Sequence, residues 1–160
     1  MHDIFSSTAF IAATVATGLL AGVFQLYAFA VMPGLRRVDD RTFVAAFGAL
    51  DRAIVNPWFL LVIFFGAPVL SALALAGAWG ESSGAWATGA LAGTVTSVII
   101  TVVVHLPANN ALKAADDSVM DAGAIRRRFR EARWAAWNLV RAVLSTASAV
   151  GLGIGLAVSQ

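Results

Sequence analysis

The sequence has no cysteine, which excludes disulfides, thiolate metal ligands and a cysteine nucleophile. It has two histidines, His2 at the terminus and His105 in the interior, too few for an all-histidine metal centre. Charge is the other scarcity: 12% of the 160 residues are charged and 59% are hydrophobic, against roughly 25% charged in an average soluble domain. No Asp, Glu, Lys or Arg occurs in residues 4–35, 53–80 or 82–112. Each of these runs exceeds the ~20 residues that cross a hydrocarbon core of about 30 Å. A fourth apolar segment from Trp134 to Val158 carries a single charge, Arg141.

These runs predict an all-α protein, a four-helix transmembrane bundle forming one membrane domain over residues 1–160. The spans are expected at about 5–32, 56–79, 85–106 and 134–158. The first run is too long for a signal peptide and lacks a basic leading region. Arg36, Arg37, Arg41 and Arg52 fall between the first two spans, and Lys113, Arg126, Arg127, Arg128, Arg130 and Arg133 between the last two. The short segment around "WGESSGAW" holds no basic residue. The positive-inside rule therefore places loops 33–55 and 107–133 in the cytoplasm and both termini outside, as in a bacterial inner membrane. The sequence pI near 9.9 reports this orientation, and no nucleic-acid partner is expected.

Small residues four apart, Gly18/Gly22, Gly89/Gly93 and Gly151/Gly155, suit close helix packing. "DAGAIRRRFREARWAAW" offers Asp121 as an N-cap and Ile125, Phe129 and Ala132 at helical spacing, predicting an interfacial amphipathic helix that runs into the fourth span. Its arginines read as a solvated, headgroup-facing run.

Polar residues recur at one depth near the cytoplasmic ends of the spans. Gln25 and Tyr27 precede a break at Met32, Pro33 and Gly34. Asn56 and Pro57 form a cap and first turn of the second span. His105 is followed by Pro107, Asn109 and Asn110. Trp134, Asn138 and Arg141 share a helical face at spacings of four and three, with Trp137 nearby. Tryptophans at this level, Trp58 included, also serve as interfacial anchors. Arg141 lies seven residues beyond Trp134, roughly 10 Å deeper along a helix, where a guanidinium costs about 2.5 kcal/mol or more without partners or water. His105, Asn109, Asn110 and Gln25 are its candidate partners.

The stretches "GLLAGVFQLYAFAVMPGLRRVDDRTFVAAFGALDRAIVNPWF", "HLPANNALKAAD" and "ARWAAWNLVRAVLSTAS" resemble the DUF1772 family of anthrone oxygenase-like membrane proteins. The resemblance covers nearly the whole chain, with Pro107, Asn109, Asn110, Asn138 and Arg141 on the shared pattern. His105 stands where many relatives are expected to carry asparagine. The resemblance implies oxidation of a flat, apolar polycyclic substrate by O2 without a dedicated metal or flavin. In that chemistry His105 would be the base, with Arg141, Asn138 and Asn110 donating to an oxyanion. Phe24, Trp134 and Trp137 would stack on the rings, and Gln25, Tyr27 and Asn109 would complete the substrate pocket.

No cofactor is predicted; haem through His105, with Met32 as second ligand, is the alternative. The second functional reading is a non-catalytic membrane protein that binds a lipid, quinone or other small hydrophobic ligand. Proton conduction is disfavoured because no Asp or Glu lies inside a predicted span. Expected partners are membrane lipid and a small hydrophobic substrate, with a homo-oligomer left open.

Overall fold

The computed structural model describes residues 2–116 and 121–159. Its helices are α1 (Ile4–Leu35), α2 (Asp40–Ile54), α3 (Phe59–Gly77), α4 (Gly84–Ala115), α5 (Ala122–Phe129) and α6 (Glu131–Val158). There is no strand among the described residues. By length and composition α1, α3, α4 and α6 are four membrane-spanning helices. Their outward side chains agree with a lipid solvent: Leu61, Val103 and Val143 are 69%, 65% and 60% exposed, which water would penalise along a whole bundle.

Each span packs against two others, α1 on α3 and α6, and α4 on α3 and α6, closing an up-down-up-down ring. Buried alanines, with Phe10 and Leu152, fill the end distal to the basic segments, where Ala13, Ala74 and Ala87 are inaccessible. There the helix backbones approach closely because side chains are small. A Cβ at Gly155 would meet the Phe10 ring at 2.6 Å, and one at Gly77 would meet the Ser6 backbone at 3.1 Å. Several buried hydroxyls satisfy themselves locally, Ser71 Oγ donating to the Ala67 carbonyl at 2.8 Å and Thr94 Oγ1 to that of Ala90 at 2.9 Å, whereas Ser6 Oγ and Thr17 Oγ1 have no partner among the described residues. Gly18 and Gly22 do not join this interface: both are exposed, and a Cβ on either would meet nothing within 4 Å.

Three of the spans contain a wide turn with i→i+5 bonding, at Tyr27–Val31, Phe59–Phe64 and Thr101–His105. Each lies shortly before a proline. The Met32 N–H bonds the Tyr27 carbonyl ahead of Pro33, Phe65 N–H that of Leu60 ahead of Pro68, and Leu106 N–H that of Thr101 ahead of Pro107. Proline supplies no N–H and its ring crowds the carbonyl four residues back, so widening the preceding turn lets the helix pass through. The expected break at Met32–Gly34 and the expected end near 106 are therefore absent. Helix α1 continues to Leu35 and α4 to Ala115. Residues 117–120 of the expected 107–133 loop lie outside the described residues.

The basic end carries a second layer. Helix α2 starts at Asp39, whose side chain accepts from Thr42 N at 3.0 Å, and it buries Phe43, Val44 and Phe47. Helix α5 begins at Asp121, which accepts from Gly123 N at 3.3 Å, and buries Ile125 and Phe129 against the same cluster. It does not run into α6, because Arg130 adopts a left-handed conformation (φ 54°, ψ 56°) and separates the two helices. Arg126 is not a solvated headgroup ligand. Its guanidinium bonds Asp40 Oδ1 at 3.0 Å, Glu131 Oε2 at 3.1 Å and the Val38 carbonyl at 3.0 Å, and lies 4.4 Å from the Phe43 ring centroid. It thereby pins α5 to α2 and to the end of α1.

Candidate functional site

Between the middle cluster (Leu20, Phe24, Phe64, Ala142) and the α2–α5 cluster (Phe43, Phe47, Phe129, Trp134) the packing opens into a cavity of about 330 Å³. That volume is near the lower end of the ~300–1,000 Å³ usual for small-molecule sites. Phe24, Tyr27, Phe47, Phe59, Phe64 and Trp134 form aromatic walls, and all three wide turns contribute a lining residue. Irregular turns inside a membrane helix are tolerated where they border a cavity.

Arg141 projects into this space from α6 and is 5% exposed. Nη1 donates to Thr101 Oγ1 at 2.8 Å and Nη2 to Asn138 Oδ1 at 2.9 Å. Its Cζ lies 4.2 Å from the Phe24 ring centroid and 5.8 Å from that of Trp134. Nε is buried without a partner. Among the described residues no carboxylate forms an ion pair with this guanidinium. Asn138, fully buried, is fixed in turn by donating from Nδ2 to the Phe24 carbonyl at 2.9 Å, beside the first wide turn.

A second polar chain closes the basic end. Trp134 Nε1 donates to Asn109 Oδ1 at 2.8 Å, Asn109 Nδ2 to Asp51 Oδ1 at 2.6 Å, and Lys113 Nζ pairs with Asp51 Oδ2 at 2.7 Å. His105 sits between the two chains, its ring edge-on to Trp134 with centroids 4.8 Å apart. Its ring nitrogens face backbone carbonyls, Nδ1 at 3.4 Å from Ile100 O and Nε2 at 3.3 Å from Trp134 O.

Of the residues expected at the site, Phe24, Tyr27, His105, Asn109, Trp134, Asn138 and Arg141 line the cavity. Three do not. Asn110 is exposed, since one residue turns a helix by about 100° and Asn109 is the one facing inward. Trp137 is 39% exposed for the same reason beside Asn138. Gln25 donates to Thr146 Oγ1 at 2.8 Å, tying α1 to α6 outside the cavity. Met32, the expected second haem ligand, is buried in the α2–α5 cluster and does not reach the lining. Asp51, Phe47 and Thr101 were not expected. The signal for Asp51 was present as Phe43, Phe47 and Asp51 at spacings of four, an acid on the apolar face of an amphipathic helix.

A family model described as anthrone oxygenase matches residues 57–151, more than half of the chain. The chain belongs to the anthrone oxygenase family. Searches among curated proteins and among solved structures find no match. The part that matches the anthrone oxygenase model holds α3 to most of α6, hence His105, Asn109, Trp134, Asn138 and Arg141. Phe24 and Tyr27 on α1 and Asp51 on α2 complete the cavity from outside the matched region.

Proposed function

We propose that the protein is a cofactor-independent oxygenase that converts an enolisable, flat polycyclic ketone of the anthrone type to the corresponding quinone with O2. The observation that carries this reading is the buried guanidinium of Arg141 in an aromatic cavity, with Nε unpartnered and no ion pair to a carboxylate among the described residues. A buried cation without a counterion stabilises an anion that forms beside it, and does so most strongly where water is excluded. Deprotonation of an anthrone places negative charge on its ketone oxygen, for which Arg141 is the cationic donor in the lining, oriented by Asn138. The resulting electron-rich enolate is itself the reductant of O2. His105 is the proton acceptor suggested by the sequence, and Phe24, Tyr27 and Trp134 bracket the ring system.

The overall conversion balances as one ketone and one O2 giving one quinone and one water, with two C–H bonds of the same ring carbon broken. The site lies toward the end that carries every Lys and Arg other than Arg141, which the positive-inside rule assigns to the cytoplasm. Helices α3 and α4 pack mainly along Gly66–Gly77 and Gly84–Ile100. Between their other halves the lining residues Phe65, Val102 and Leu106 are 47%, 53% and 45% exposed, so an apolar substrate enters sideways from lipid.

The test is anthrone oxidation by the purified protein in detergent, followed by O2 uptake and quinone absorbance, with the spectrum and co-purifying small molecules recorded beforehand. Turnover above that of empty micelles, lost on Arg141→Met, supports the reading. Retention of an apolar molecule without turnover would assign the cavity to ligand binding instead.

A further inference from the structure

We infer that Asp51, on α2, is the catalytic base of this site, taking the substrate C–H proton in place of His105. The inference rests on the oxygenase reading and assigns a residue outside the matched family region.

Geometry separates the two candidates. A base must present a free lone pair toward the substrate. Both ring nitrogens of His105 are directed at backbone carbonyls, 3.4 Å and 3.3 Å away, so neither faces the open cavity. Asp51 is the single carboxylate among the described residues that line the cavity, and it is 8% exposed. Its carboxylate has about four acceptor positions, of which Asn109 Nδ2 and Lys113 Nζ occupy one each. The remaining positions have no partner among the described residues.

The neighbours also suit a base rather than a structural pair alone. Asn109 is held by Trp134 Nε1, which fixes the carboxylate relative to an aromatic wall of the cavity. Lys113 keeps 23% of its side chain exposed and touches Oδ2, giving the buried carboxylate a proton contact with solvent. Arg141 lines the same cavity from α6 while Asp51 enters from α2, so that a flat ketone between them meets a base and an oxyanion donor from different helices.

The steps balance through Asp51. The C–H electron pair enters the ring system, the proton goes to a carboxylate oxygen, and the enolate oxygen is held by Arg141. Electron transfer to O2 and recombination form a C–O bond and a peroxide anion, which Asp51 protonates. Asp51 then removes the second hydrogen on that carbon as the O–O bond breaks. The departing hydroxide takes this proton, leaving quinone, water and the original carboxylate.

The experiment is hydrogen exchange at the reactive methylene of anthrone in D2O under argon, which requires the base and not O2. Wild-type protein is expected to accelerate exchange over empty micelles, and Asp51→Asn to lose about 100-fold or more of it. Quenching of tryptophan fluorescence by anthraquinone checks that the variant still binds. Should Asp51→Asn fail to assemble, Asp51→Glu against Asp51→Ala decides, with exchange at least tenfold faster when the carboxylate is kept.

Exchange surviving in Asp51→Asn, or lost in His105→Gln but not in Asp51→Asn, would overturn the assignment while leaving the oxygenase reading intact. Aerobic turnover by wild type without anaerobic exchange would do the same. Exchange that depends on Asp51 with no aerobic turnover would support the base and refute the oxygenase reading. Neither exchange nor turnover in wild type would refute both.

Discussion

Arg141 lies over the Phe24 ring, 4.2 Å from Cζ to the centroid, and the Asn138 beside it is anchored on the Phe24 backbone carbonyl. One residue of α1 thus supplies a π face to the charge and an anchor to the amide that orients it. A cation held by a quadrupole and neutral oxygens keeps its full charge for a ligand.

Arg141→Met is expected to lower anthrone turnover by about 10²–10³-fold, the effect of removing an oxyanion donor. Thermal stability in detergent should change little, because removing a buried charge that has no counterion offsets the loss of the donor to the buried Asn138 Oδ1. Arg141→Lys keeps the charge but loses the fork that meets Thr101 and Asn138 together, so turnover should remain depressed. A variant that unfolds with loss of activity would contradict this division.

Trp134→Phe leaves Asn109 Oδ1 without its donor in a buried position. The expected cost is about 1–3 kcal/mol, read as a lower melting temperature. The double variant Trp134→Phe with Asn109→Leu should lose more, since the buried Asp51 Oδ1 is then deprived of its donor as well.

Gly155→Ala brings a methyl against the Phe10 ring, where the fit leaves 2.6 Å to the nearest atom. Overpacking of this kind costs about 1–3 kcal/mol. Gly18→Ala, with nothing within 4 Å, should be neutral or slightly stabilising through better helix propensity. Paired melting curves in one detergent compare the two directly.

Asp39 accepts from both the backbone N–H and the hydroxyl of Thr42, and these bonds hold its carboxyl below the usual range. Because the folded state then favours the charged form, its contribution is full above the unfolded value near about 4 and is lost as pH falls through the folded value. Amide exchange along α2 should accelerate on acidification through that window, and Asp39→Asn should flatten this dependence. An unchanged profile in the variant would assign the acid response to other groups.

The amphipathic helix α2 and the cavity it covers differ in how readily a reading of the chain finds them. Phe43, Phe47 and Asp51 recur at the helical period, yet the arginines around them dominate the segment's composition and make it read as a basic loop. The inward face of α6 was legible, since Trp134, Asn138 and Arg141 follow one another at four and three residues along an otherwise apolar helix. Asn110 and Trp137 were placed with their neighbours because residue type alone does not report rotation about a helix axis.

Composition determined four helices long and apolar enough to cross a membrane, because apolar runs of that length find no other favourable solvent, and it concentrated the polar groups at one depth. Packing decided which of those groups face one another. The wide turns ahead of Pro33, Pro68 and Pro107 carry the helices onward past residues that would otherwise end them, and the rotation they leave sets His105 toward the backbone. Asp51 reaches the cavity only because α2 folds back over the bundle, bringing it to Asn109, 58 residues further along the chain. No local pattern encodes such a meeting, since the free energy that holds it comes from the burial of Phe43, Phe47 and Phe129 in a cluster drawn from separate helices.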